Sequence, residues 1–239
     1  MNAVAGGGTI LTFPALLAAG VSPVAANATN SVALVPGSFS AGWAFRRELG
    51  LESRRVLITL VISSLAGGLV GAWLVVVAGD ALFRAMVPWL IFSAIALFIL
   101  QEPLRLWRER RSAERAARAL DDLNLWVLAA AQFVVAVYGG FFGVAMGILM
   151  LAELGLVGLT NIHQMNGLKN FASVCINGIA ALYFALGNHV HWPLAALMAV
   201  GGVLGGYSGA WVAQRIGQAM VRWVIIVIGL GIGVYMLVM

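Results

Sequence analysis

The sequence predicts an all-α polytopic membrane protein built from two homologous helical halves. Its composition is 62% hydrophobic and only 10% charged, with a mean hydropathy of +0.98. Soluble domains are nearer half apolar and about a quarter charged. The apolar residues also gather in successive runs of the length that a bilayer requires, about 20 residues per helix. Short motifs of the first half recur in the second half in the same order.

The apolar runs define the expected helices and the domain organisation. Seven runs are long enough for full spans, at 22–45, 55–79, 82–101, 123–142, 160–186, 193–214 and 218–238. Two shorter, glycine-interrupted runs at 5–20 and 144–158 favour half-helices or re-entrant segments. The arginine-rich stretch 102–122 is predicted to be a short solvated helix that links a first repeat, 1–101, to a second repeat, 123–239.

The basic residues predict the membrane topology. Arginines concentrate in the loop 46–55 and in 102–122, whereas the turn at Asp80 and the loop 187–192 are poor in basic residues. The positive-inside rule places the first two in the cytoplasm and the other two outside. A formal net charge of +5 would otherwise suggest a nucleic-acid partner, but its confinement to loops between apolar runs argues against one.

The internal repeat predicts a secondary transporter. Matching motifs stand 134 to 140 positions apart, and they include Ala28-Thr29-Asn30 with Leu168-Lys169-Asn170, and Gly67-Gly68 with Gly201-Gly202. Duplicated halves with short, interrupted segments are typical of such transporters. The matching loops 46–55 and 187–192 differ in basic content, which favours an inverted repeat. Nothing precedes Gly6 that matches the span 123–142. Either the protein naturally lacks the first helix of the first repeat, or the sequence begins at an internal start.

Polar residues inside apolar runs are the candidate substrate contacts, because burying them in a membrane is costly. Lys169 is the only lysine of the chain. The spacing of Asn166, Asn170 and Asn177 places them on the same helical face as Lys169. An ammonium group among amide donors suits an oxyanion. Thr29 and Asn30 occupy the equivalent places of the first half and are expected to meet these residues at one site between the halves. The alternative is purely structural, with Lys169 snorkelling or paired to Glu153.

Other residues extend this candidate site. Gly7 and Gly8 precede a short segment, where a broken helix would present its backbone N–H groups to an anion; tight helix packing is the alternative. Glu153 and His163 are titratable and could carry a coupling proton. The chain has one cysteine and shows no zinc-spaced cluster, nucleotide loop or catalytic triad, so no metal, cofactor or catalytic residue is predicted.

The order of these motifs resembles the TauE/SafE family of sulfite-exporter-like permeases. The first half carries Gly6-Gly7-Gly8, Pro14, Gly20, Pro23 and Ala28-Thr29-Asn30. The second half carries Gly139-Gly140, Gly143, Asn166, Lys169-Asn170, Gly187, Trp192, Gly201-Gly202 and Arg222. The resemblance covers nearly the whole chain and implies a bacterial inner-membrane permease for small sulfur-containing or organic anions such as sulfite, sulfoacetate or sulfonates. Two features depart from it: the first helix is missing, and the segment 143–147 is poorer in glycine.

The sequence therefore predicts that the protein transports a small anion across a lipid bilayer by alternating access. A homo-oligomer is compatible with this prediction. A passive anion channel is the alternative within transport. A membrane-embedded enzyme using Glu153 and His163 is the alternative from another class, although these residues are not part of a recognisable catalytic cluster.

Overall fold

A computed structural model describes residues 8–44, 49, 53–115, 125–157, 159, 161–202, 226–231, 233, 234 and 237 of the chain. All regular elements in these ranges are α-helices, which confirms the all-α prediction. The helices are α1 Gly8–Ala18, α2 Pro23–Ala44, α3 Arg54–Arg115, α4 Leu125–Phe141, α5 Met146–Val157, α6 Ile162–Leu186 and α7 Trp192–Gly202. Residues 226–231 are also helical.

Two helical stretches, Arg54–Leu97 and Ile162–Leu186, are long and apolar enough to cross a bilayer. The helices α4, α5 and α7 are apolar but shorter. The predicted number of seven full spans therefore stays a prediction. More than half of each of the expected spans 193–214 and 218–238 lies outside the described residues.

The helix α3 reverses direction at Gly79, so it consists of a first arm, residues 54–78, and a second arm that starts at Asp80. Gly79 has φ 69° and ψ 173°, a backbone conformation open to glycine. The Phe83 ring lies 5.4 Å from the Phe141 ring, and a Cβ atom at Gly71 would lie 2.7 Å from the Phe141 nitrogen. In an unbroken helix residues 71 and 83 would be about 18 Å apart. Both therefore reach Phe141 because the arms fold back on each other.

The helices α4, α5 and α6 pack beside the first arm and alternate in direction. Gln132 of α4 donates a 2.9 Å hydrogen bond to Ser64 of the first arm, and both side chains are buried. The helix α5 returns along α4: Met146 contacts Gly139, near the end of α4, whereas the later residue Leu154 packs near the start of α4. The helix α6 then runs in the direction of α4 again.

Two apolar clusters mark the ends of this bundle. One, at the Arg54 end, comprises Val56, Leu60, Leu128, Leu154, Leu159, Met165 and Leu168. The other, at the Asp80 end, includes Phe13, Val24, Val75, Phe83, Phe142, Ala180 and Phe184. The membership of these clusters shows that α6 runs from the Arg54 end to the Asp80 end.

The helices α1 and α2 form a hairpin at the Asp80 end. The Phe13 ring of α1 packs edge-on against Phe142 at a centroid distance of 5.7 Å. The helix α2 then runs towards the Arg54 end and crosses α6, where Asn177 donates a 3.0 Å hydrogen bond to Ser38. Each of these residues lies 15 positions after the first residue of its helix, Pro23 or Ile162. The two helices are therefore antiparallel and cross at equivalent positions.

Asp80 fixes the start of α2 to the turn of α3. The Val24 N–H donates a 2.9 Å hydrogen bond to the Asp80 Oδ1 atom. The first N–H groups of a helix lack partners within the helix, so a side-chain oxygen from another segment supplies the missing acceptor. This single contact joins elements that are 56 positions apart in the sequence.

Replacing Asp80 with alanine should lower the stability of the protein by about 1 kcal/mol, because α2 then loses a capping acceptor. The melting temperature of the purified protein in detergent measures this loss. Asp80→Asn retains an acceptor oxygen and should recover most of the stability. Arg84→Ala, also exposed and on the same arm, is the matched control; an equal loss in both alanine variants would contradict the capping role.

Candidate substrate site

The chain is unwound between α4 and α5, at residues 142–145, and the site is built around this break. Gly143 and Ala145 both have positive φ angles, 72° and 61°. Two carbonyl groups near the break find side-chain donors: Asn27 donates to Phe141 at 3.1 Å, and the Tyr138 hydroxyl donates to Val144 at 2.6 Å. Irregular backbone at membrane depth requires such internal partners. The break is therefore a built feature, even though the segment 143–147 is poor in glycine.

Lys169 of α6 packs against the first turn of α5. Its side chain is 6% exposed. A Cβ atom on Gly147 would lie 3.4 Å from the Lys169 Cδ atom, so the lysine stem runs directly over this glycine. The start of a helix carries the positive end of the helix dipole. At α5 the Met146 and Ile148 N–H groups donate to the carbonyl groups of Gly143 and Ala145, at 3.4 and 2.9 Å. A buried ammonium-bearing side chain and a helix N-terminus thus lie together, and both attract anions.

Asn170 and Asn166 adjoin Lys169 along α6. Asn170 is buried, with 5% of its surface exposed. Asn166 is half-buried and precedes Lys169 by three positions, on the same side of the helix. An amide side chain offers both donors and an acceptor to a polar ligand, and a nearby lysine offsets the charge of an anion. The second half therefore holds three of the predicted contacts together.

The equivalent residues of the first half are engaged in the protein itself. The Asn30 side chain accepts a 2.6 Å hydrogen bond from Thr12 and donates one of 3.2 Å to Thr9, so α1 occupies its amide. The Thr29 hydroxyl accepts a 2.9 Å hydrogen bond from the His191 N–H. In this structure Thr29 and Asn30 therefore connect helices and loops.

The structure does not bring the two polar groups into one site. Thr29 contacts His191, which follows the C-terminal end of α6, whereas Lys169 precedes that end by 17 residues, about 25 Å of helix. The reason is that α2 and α6 are antiparallel, so equivalent residues lie on opposite sides of their crossing. Asn177 lies at the crossing itself and is bonded to Ser38. Contact of each residue with substrate stays a prediction. Thr29 and Asn30 do not form a single cluster with Lys169 and Asn170 in this structure.

The remaining predicted residues occupy different environments. Gly8 begins α1, and Gly7 lies outside the described residues. His163 is exposed in the first turn of α6, where its N–H donates to the helix-capping side chain of Asn161 at 2.9 Å. Glu153 is 5% exposed on α5, and neither of its carboxylate oxygens has a hydrogen-bond partner among the described residues. The predicted alternative of a hydrogen-bonded Lys169–Glu153 pair is therefore absent from this conformation.

Sequence reasoning missed Tyr138 and the pair Ser64–Gln132. The signal for Gln132 was available, since an amide within the apolar run 123–142 needs a partner. Ser64 gives little signal, because serine can bond to its own helix. Tyr138 could not be recognised without knowing where the break lies. These residues stabilise the helices around the site.

The arrangement defines a class of protein: an apolar helical bundle with a break between α4 and α5, in which a buried lysine lies at a helix N-terminus. A family model described as sulfite exporter TauE/SafE matches residues 1–236. The chain belongs to this family of membrane transporters, which confirms the resemblance drawn from the glycine and Asn-Lys-Asn motifs.

Curated relatives extend this result. A "Probable membrane transporter protein" of Haemophilus influenzae is 31% identical over 95% of this chain and 85% of its own length. The "Probable membrane transporter protein YfcA" of Escherichia coli K12 is 32% identical over 95% of this chain and 81% of its own. A Sinorhizobium protein, "Probable membrane transporter protein ORF9", is 26% identical over 99% and 87%. No solved structure matches the chain. The names agree with the prediction of a transporter rather than an enzyme.

Proposed function

We propose that this protein is a secondary transporter that moves a small sulfur-containing or organic anion, such as sulfite, sulfoacetate or another sulfonate, across the bacterial inner membrane. The observation that carries the proposal is the packing of buried Lys169 over Gly147 at the first turn of α5. An ammonium group, the amides of Asn166 and Asn170, and the positive end of the α5 dipole form a set suited to a sulfonate or sulfite oxyanion.

The proposed transport cycle uses two inverted halves. The hairpin α1–α2 lies at the Asp80 end, the short helix α5 runs towards the Arg54 end, and α2 and α6 cross at equivalent residues. An antiparallel crossing at equivalent positions is the relation that inverted repeats produce. The Arg54 end would face the cytoplasm, according to the distribution of arginines. Alternating access would then consist of movement of one half against the other about the Ser38–Asn177 crossing.

Two other readings make different predictions. A passive anion channel would give flux that does not saturate and shows no counterflow. An enzyme using Glu153 and His163 needs these groups at one site, but Glu153 is buried and His163 is exposed. The positions of Glu153 and His163 therefore favour a transporter over this enzyme.

The proposal is tested by uptake of labelled anions into proteoliposomes that contain the purified protein. Sulfite, sulfoacetate, taurine and sulfate are compared, and each is also measured in counterflow with unlabelled anion inside. We expect saturable flux and counterflow of at least one sulfur anion. Non-saturating flux without counterflow would support the channel. Absence of flux of all four anions, in protein that elutes as a single folded species, would contradict the proposed substrate class.

A further inference from the structure

Glu153 carries a buried carboxyl group whose burial is not compensated by any hydrogen bond among the described residues. Its neighbours on the same face of α5, Met150 and Leu154, are fully buried in apolar clusters. Both Glu153 oxygens are shielded from solvent, and neither has a hydrogen-bond partner within the part of the chain that the structure describes. An ionised carboxylate in such surroundings is very costly, whereas a protonated one costs much less. The conformation described here is therefore suited to Glu153 in its protonated form.

We propose that Glu153 carries a proton that is transported together with the anion bound near Lys169, which makes the protein an anion–proton symporter. This inference rests on the proposed anion transport and assigns its coupling ion. One proton from water binds to a Glu153 carboxylate oxygen on one side of the membrane, and the same proton returns to water on the other side. The carboxylate is regenerated, and one proton crosses with each anion.

The charges of the site explain the coupling. Glu153 and Lys169 are the two charged side chains that are buried within the described ranges. They belong to the adjacent helices α5 and α6. The Lys169 stem contacts Gly147 of α5, and Glu153 lies six positions further along that helix, a distance of about 9 Å. An ionised Glu153 offsets the positive charge that attracts the anion, and protonation removes this offset. By linkage, a bound anion must favour proton uptake by the same factor, for which about ten-fold is typical of coupled sites.

The other titratable groups around α5 do not fill this role. On α6, His163 is exposed and Cys175 is half-buried near the far part of the helix. On α4, the Tyr138 hydroxyl is bonded to Val144, at the opposite end of α5 from Glu153. The charged side chains of α3 whose burial is described are all exposed, namely Arg54, Arg55, Asp80 and Arg84. Glu153 is thus the acidic group that lies near the anion. Of the two candidates for a coupling proton, Glu153 and His163, we assign the proton to Glu153.

Glu153→Gln tests the proposal, because glutamine mimics the protonated carboxyl group and cannot release a proton. The probe is labelled sulfoacetate, whose charge is constant between about pH 6 and about pH 8. In wild-type proteoliposomes with the membrane potential held at zero, an inwardly directed gradient of about one pH unit should raise accumulation about ten-fold, because one proton enters with each anion. In Glu153→Gln the gradient should have no effect, while counterflow of sulfoacetate continues near the wild-type rate. His163→Gln, which alters an exposed titratable group, should keep the response to the gradient.

Loss of the gradient response in His163→Gln but not in Glu153→Gln would overturn the proposal. A second measurement uses purified protein in weakly buffered detergent solution that contains a pH indicator. Sulfoacetate is added at an alkaline pH, at which part of the anion-free protein has lost the Glu153 proton. We expect proton uptake, with an infrared band of a protonated carboxyl group that is absent from Glu153→Gln. Counterflow of sulfoacetate without proton uptake would overturn symport but leave anion transport standing. Absence of counterflow would instead count against the proposed function.

Discussion

Lys169→Gln is expected to reduce saturable anion flux by about 100-fold, because it removes the charge that a buried anion requires. Hydrogen bonds that involve a charged group contribute about 1.5 to 3 kcal/mol, and the upper part of this range corresponds to that factor. Glutamine is close to lysine in length and keeps the contact of the side chain with Gly147. The loss should therefore arise from charge rather than from a cavity. Initial rates of sulfoacetate uptake and counterflow in proteoliposomes measure the effect.

Two further variants separate binding from folding in this experiment. Lys169→Arg keeps the positive charge and should retain part of the flux. Gly147→Leu leaves the lysine in place but puts a side chain where its stem lies, 3.4 Å from the Cβ position, and should also reduce flux strongly. If Lys169→Gln transports at the wild-type rate, the substrate site lies elsewhere in the bundle.

Gly140→Leu is expected to prevent stable folding, because α4 and the first arm of α3 pack backbone against backbone. A Cβ atom on Gly140 would overlap the carbonyl oxygen of Gly68, and one on Gly71 would overlap that of Val137. Small residues allow membrane helices to approach this closely. The helices must separate to admit leucine, and overpacking of this kind costs about 3 kcal/mol or more. Gel filtration and melting temperature in detergent measure the result.

Gly178→Leu is the matched control for this substitution. Gly178 is also helical, but outside its local backbone no atom of the described residues lies within 4 Å of its Cβ position. The control should elute as a single species and melt near the wild-type temperature. Equal behaviour of the two leucine variants would show that close packing at Gly140 is not required for folding.

The apolar runs located most described helices to within a few residues. The run 22–45 corresponds to Pro23–Ala44, and the run 160–186 corresponds to Ile162–Leu186. This worked because a bilayer imposes both helical structure and length on an apolar segment. The runs 55–79 and 82–101 lie in the two arms of α3, and the boundary between them falls at Gly79. The number of spans and the repeat depend on segments outside the described ranges and stay predictions.

The candidate site was predicted in its residue types but not in its geometry. Lys169, Asn166 and Asn170 could be grouped from the sequence because all three lie on one helix. Thr29 and Asn30 were expected beside them because their motifs match. The match predicts which residues correspond in sequence. It does not predict their depth, which depends on the antiparallel directions of α2 and α6.

The sequence by itself determined that this is a helical membrane protein of the TauE/SafE family, where its apolar helices lie, and which polar side chains they bury at a cost. Only the tertiary structure decided that Thr29 bonds to the loop at His191, that Lys169 lies over Gly147, and that Glu153 finds no hydrogen-bond partner among the described residues. The physical reason is that composition and periodicity are local properties of the chain. Contacts between residues such as Thr29 and His191, 162 positions apart, depend instead on the direction in which each helix runs and on where two helices cross.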